Sequence, residues 1–121
     1  DLDIGYDSGG RIPWDGWVID YNEYVDRDAW MMPFWWPRLM EDPLFRDALR
    51  ERWSTLRAGV LSNESVLSLV DEASDYLIDN GAVERNYHRW DQGIGIDYPS
   101  SIGNLKRFLG ERLLWMDSRI L

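Results

Sequence analysis

From Asp42 to the C-terminus, apolar residues return at three- and four-residue steps in three successive stretches, a periodicity that few folds other than a helical one can satisfy. In the first stretch, Leu44, Phe45, Ala48, Leu49, Trp53 and Leu56 mark one apolar face that runs to about Arg57. Asp42 is a natural N-cap, Pro43 suits the first helical position, and Gly59 is expected to end the helix. The second stretch opens at the cap residue Ser62. Its stripe is Val66, Leu69, Val70, Ala73 and Leu77, and Asn80-Gly81 supplies a left-handed stop. The third starts near Ser100 or Ser101 and turns Ile102, Leu105, Phe108, Leu109, Leu113, Met116 and Ile120 inward. No amphipathic helix buries its face alone, so the three are expected to pack into a small bundle.

The remainder is less regular. Residues 1 to 16 are rich in Gly and Asp and show no helical period, which reads as loop. Trp17-Val18-Ile19-Asp20-Tyr21 suits a short strand. Pro33 to Met40 suits a short helix with its prolines in or near the first turn. Ala82 to Trp90 fits one or two further helical turns, and Asp91 to Ser101 reads as loop. The fold class is therefore mainly α. An N-terminal loop and short-strand segment over residues 1–30 precedes a helical subdomain over residues 31–121.

Charge and composition exclude several functions. Asp plus Glu total 22 against 13 Lys plus Arg, a net charge of −9, and a phosphate backbone needs concentrated positive charge. No nucleic-acid partner is expected. Nor is a membrane, since no apolar run approaches the roughly 20 residues of a spanning helix. There is no Cys, hence no disulfide and no thiolate metal site. Of the basic residues only Lys106 is a lysine. Eight Trp is a heavy aromatic load, and five fall between Trp14 and Trp36. Such clustering makes either a packed aromatic core or a stacking surface. The run Phe34-Trp35-Trp36 carries both readings, with core packing favoured by its helical spacing.

The best candidate for chemistry is Asp1-Leu2-Asp3-Ile4-Gly5-Tyr6-Asp7. Alternating carboxylates in a Gly-rich loop can aim hard oxygen ligands at Mg²⁺ or Ca²⁺. The same residues also make an acidic turn whose side chains bond nearby backbone N–H groups, the reading that spacing alone favours. An EF-hand is excluded, because Tyr6 and Ile12 stand where Gly and Glu belong. His88, the one histidine, sits beside Tyr87, Arg89 and Trp90 and reads as a surface or interface residue. Gly93-Ile94-Gly95 lacks the third Gly of a dinucleotide fingerprint. Arg52 and Arg112 interrupt apolar stripes, so each is expected to meet a carboxylate or a helix C-terminus.

In this order, several segments resemble the C-terminal part of spore coat protein H-like (CotH) kinases. The family shows a Trp-Asp-x-Asp stretch, and Asp1-Leu2-Asp3 would begin just past that Trp, although Gly5-Tyr6 stands in place of the family's Phe-Gly. Gly16-Trp17 matches a Gly-Trp. The span from Phe34 to Pro43 matches an aromatic-Trp, Arg-Leu, acidic, Asp-Pro series. Phe45, Arg52-Trp53, Leu56-Arg57 and Arg85-Asn86 with Trp90 continue the pattern. Leu105-Lys106, Leu109 and Arg112 to Asp117 close it, with Gly103 and Gly110 where better helix formers are expected.

The resemblance implies an atypical protein kinase fold, of which this chain is the C-terminal portion, transferring the γ-phosphoryl of ATP to Ser residues of a protein substrate. By the same implication Asp1 is a magnesium ligand, with Asp3 a second candidate. The nucleotide-gripping Lys and the catalytic-loop Asp would lie upstream of this chain, which is expected to be cut from a longer one because it begins at Asp1 and not at Met. Mg²⁺ and ATP then belong to the parent protein, and the fragment is expected to bind neither and to catalyse nothing alone. Its implied partners are the rest of the kinase domain and a protein substrate, in a bacterial spore-coat or extracellular setting. A different reading remains open: a free-standing helical module that holds a glycan or a protein with its Trp cluster.

Overall fold

A computed structural model of the chain describes residues 13–24, 33–90 and 97–121. A 3-10 turn at Val18–Asp20 runs directly into the single-turn helix α1 (Tyr21–Tyr24). The helices α2 (Trp36–Glu41), α3 (Pro43–Arg57), α4 (Asn63–Asp79), α5 (Ala82–Arg89) and α6 (Tyr98–Ile120) follow. The mainly helical fold is as the periodicity requires.

Local chemistry sets most helix ends. The Asp42 carboxylate accepts the Leu44 N–H at 2.8 Å, and Pro43 begins α3. Ser62 Oγ accepts the Ser65 N–H at 3.1 Å to open α4. Gly81 takes φ 65° between α4 and α5, a left-handed conformation that glycine adopts without strain. Pro37 falls in the first turn of α2.

Two expectations need correction. Trp17 to Tyr21 is not a strand: Trp17 alone is extended, and Val18 to Asp20 close a 3-10 turn with the Asp20 N–H on the Trp17 carbonyl at 3.0 Å. A strand needs a paired neighbour, and there is none among the described residues. Helix α6 begins at Tyr98, because Asp97 accepts from both the N–H and the hydroxyl of Ser100 and Pro99 sits in the first turn instead of in a loop.

Helix α6 is the spine. Helix α3 packs on α2 and α6, while α4 packs on α5 and α6. Trp53 of α3 meets Leu113 and Ile120 of α6, with Trp17, Leu49, Leu61, Val66 and Met116 packed around them. Tyr21 and Phe108 are the other buried apolar residues. The α4 stripe is only half as expected. Val66 and Val70 turn inward, but the buried position is Ser74, while Ala73 is exposed and Leu69 and Leu77 remain 67% and 41% exposed. A small residue at 74 fits the close approach of α4 to α6.

Gly103 and Gly110 lie inside α6, and a methyl group at either would meet nothing within 4 Å. Each glycine loses more backbone freedom on folding than alanine does. The double variant Gly103→Ala/Gly110→Ala is therefore expected to gain about 1–2 kcal/mol of stability. Urea unfolding followed by circular dichroism checks this, and an unchanged midpoint refutes it.

Candidate functional site

The described polar groups gather where α6 meets α3 and the N-terminal loop. Trp53 and Arg57 are one turn apart on α3 and both reach Asp117 near the end of α6. Trp53 Nε1 donates to Asp117 Oδ1 at 2.9 Å, and Arg57 Nε donates to the same oxygen at 2.9 Å. Arg57 Nη2 donates to Asp117 Oδ2 at 2.8 Å, completing a bidentate pair, and Nη1 donates to the Leu61 carbonyl. Both partners are largely shielded, with side chains 15% and 26% exposed. The hydrogen bond from Arg57 holds the Asp117 carboxyl below the usual aspartate range; burial opposes this, and the Trp53 N–H and the Arg57 charge reinforce it.

A second cluster ties the N-terminal loop down. Arg112 Nη1 donates to the carbonyls of Trp14, at 2.9 Å, and of Gly16. Its guanidinium lies 5.8 Å from the Trp17 ring centroid and 4.9 Å from that of Trp115, and the two rings pack 4.6 Å apart. The partners described for Arg112 include, beyond the carboxylate or helix C-terminus expected of it, the carbonyls of an irregular loop. Such carbonyls lack the regular partners that a helix provides, and a forked donor satisfies several at once. Arg52 lies exposed, and the carboxylate pair belongs to Arg57, one turn further along. Asp117 carried the missed signal, since it falls on the apolar side of α6 between Leu113 and Ile120, where a buried Trp N–H needs an acceptor.

The variant Arg112→Ala leaves those carbonyls to water and removes the guanidinium beside Trp17 and Trp115. It is expected to lower stability by about 1–2 kcal/mol and to red-shift the tryptophan emission of the folded protein. An unaltered spectrum and midpoint would show that the loop is held by other contacts.

Beside these clusters an open cleft of about 440 Å³ is lined chiefly by Trp17, Trp36, Met40, Phe45, Leu49 and Met116. The aromatic run divides at its edge: Trp36 lines the cleft, whereas Phe34 is 83% and Trp35 49% exposed. Lys106 is engaged elsewhere, donating to both oxygens of Asp71 at 2.6 and 2.7 Å and so linking α6 to α4. His88 lies on the surface of α5, 3.7 Å from Glu84.

Asp1 and Asp3, the metal ligands expected from the sequence, lie outside the described residues, as does Gly93-Ile94-Gly95. Among the described residues no group of three or more His, Cys, Asp or Glu is placed to hold a metal ion. Among them too, no helix is long and apolar enough to cross a membrane.

These elements define a small helical protein, stapled by a shielded carboxylate and bordered by an aromatic cleft. Residues 1–116 match the family described as CotH kinase protein, and the chain belongs to that family. A kinase-like fold and a kinase-related function follow at the level of the family. No curated protein and no solved structure gives a significant match.

Proposed function

We infer that this chain serves a CotH-type kinase as the helical support of its catalytic domain and does not transfer phosphate by itself. In this reading the larger kinase phosphorylates Ser residues of a protein substrate with ATP and Mg²⁺. Asp1, with Asp3 second, contributes to the metal site, and the rest of the kinase domain is the chain's partner. The observation that carries the reading is the state of Lys106. It is the one lysine in the chain, and both oxygens of Asp71 already hold it between two helices. A protein kinase needs a lysine on the nucleotide phosphates, a metal-binding aspartate and a catalytic-loop aspartate acting together. Positioning and charge neutralisation account for nearly all of that chemistry, so one metal-binding loop without the other parts supplies little of it. The described residues therefore do not fit Mg²⁺·ATP on their own, and no step is assigned to them.

The exposed Phe34 and Trp35 beside the apolar cleft also support a covering partner. Clustered apolar exposure of this kind marks an interaction surface. Calorimetric titration with ATP and MgCl₂ is the direct test. The chain alone is expected to release no binding heat up to millimolar nucleotide, and a micromolar dissociation constant would overturn the reading.

A further inference from the structure

We propose that the groove between α4 and the N-terminal half of α6 is a docking site for a basic, amphipathic segment of another polypeptide. The proposal does not depend on the kinase reading, and the groove shares no lining residue with the aromatic cleft. Leu69, Ala73 and Leu77 of α4 form one wall, and Tyr98, Ile102 and Leu105 of α6 form the other. Leu69, Ala73 and Tyr76 recur at helical spacing along one exposed strip of α4, and Leu69 and Tyr76 are 67% and 68% exposed. Two turns of a helix thus present apolar side chains to solvent above an apolar groove. Grooves of this form take the apolar face of a helix.

Charge selects the occupant. Helix α4 carries Glu64, Asp71, Glu72, Asp75 and Asp79 and has no Lys or Arg. Asp71 is paired with Lys106, and among the described ion pairs no other carboxylate of α4 takes part. Glu72 and Asp79, seven residues apart, border the apolar strip on its outer side. Asp79 sits in the last helical turn, where the helix dipole disfavours an anion and an external cation would relieve it. A second copy, also at −9, would bring like charges together, and an anionic lipid surface or a nucleic acid would be repelled for the same reason. A segment with leucines on one face and lysines or arginines on its flanks satisfies both the groove and its rim.

Two fluorescein-labelled 16-residue peptides test this by anisotropy. Both carry leucine at helical spacing; one has lysine at the remaining positions and the other glutamate. The chain is expected to bind the lysine peptide at least tenfold more tightly than the glutamate peptide, with affinity falling as NaCl rises from 50 to 500 mM. The variant Glu72→Lys/Asp79→Lys should lose at least tenfold for the lysine peptide, and Leu69→Ser/Tyr76→Ser should lose binding. All four positions are exposed, so circular dichroism should show an unchanged fold. Equal binding of the two peptides, or unchanged binding by either variant, overturns the proposal. So does loss of binding in Phe34→Ser/Leu39→Ser with the α4 variants unaffected, since that places the peptide in the aromatic cleft. Dimerisation of the chain in sedimentation that Leu69→Ser abolishes would put a second copy in the groove and also overturns it.

Discussion

Replacing Trp53 with alanine is expected to destabilise the chain by about 3–5 kcal/mol, the range for deleting a buried aromatic side chain. Trp53 joins α3 to Leu113 and Ile120 of α6, and with it would go the indole N–H that Asp117 accepts. The apolar core around it is small: Tyr21, Trp53, Phe108, Leu113 and Ile120 are the buried apolar residues described. Domains of this size hold about 5–15 kcal/mol in total, so the variant should have little margin left at room temperature. Urea unfolding measures the loss. Trp53→Phe separates the two contributions, since it keeps most of the packing and lacks the hydrogen bond, and should lose only about 1–2 kcal/mol. Equal losses in the two variants would mean that the indole N–H, not the ring, holds α3 to α6.

Asp117→Ala is the second large effect. It leaves the Arg57 guanidinium and the Trp53 N–H shielded without their acceptor, for a loss of about 2–4 kcal/mol. The pair is not fully buried, which keeps the expectation below that for a completely desolvated ion pair. The pH dependence follows from the lowered pKa of Asp117. In the unfolded chain this carboxyl titrates near the ordinary value of about 3.9, and in the folded chain it does so at lower pH. Between those two values the unfolded state binds more protons, so stability rises with pH there. The contribution is therefore complete above the unfolded pKa and is lost as pH falls through the folded one. Unfolding midpoints measured from pH 6 down to pH 2 should fall more steeply for the native sequence than for Asp117→Asn. Parallel curves would show that Asp117 is not the carboxyl responsible. Trp53 and Asp117 touch, so their losses should not add; the double variant should lose less than the sum.

Much of the scaffold is legible in the amino-acid sequence itself. Asp42-Pro43 opens α3, Ser62 opens α4, and Gly81 carries the left-handed turn, because caps and stops are decided by the residue and its immediate neighbours. The inner side of α6 was also legible, since a period of 3.6 places Phe108, Leu113 and Ile120 on one side of the helix. Val18-Ile19 departs from the expected strand for a related reason. Two β-branched residues suit a strand locally, but a strand exists only with a neighbour to pair with, and that neighbour is not a local property.

The sites depended on more distant relations. Arg52, Arg57 and Arg112 are alike in sequence, all arginines on amphipathic helices, yet one is exposed, one grips Asp117 and one holds loop carbonyls across the fold. The bond from Arg57 spans 60 residues and that from Arg112 spans 98, and such pairings are chosen by how helices cross. The same applies to Lys106, whose position in mid-helix said nothing about Asp71. It applies again to α4, where the periodic stripe marked Leu69 and Ala73 as interior and packing left both exposed. Taken alone, the amino-acid order determined where the helices begin, where they stop and which side of α6 faces inward, because those choices rest on interactions within a few residues. Which arginine finds the carboxylate, and which apolar residues stay in water, was decided only by tertiary packing, because each is a contest among distant partners for one place in a shared interior.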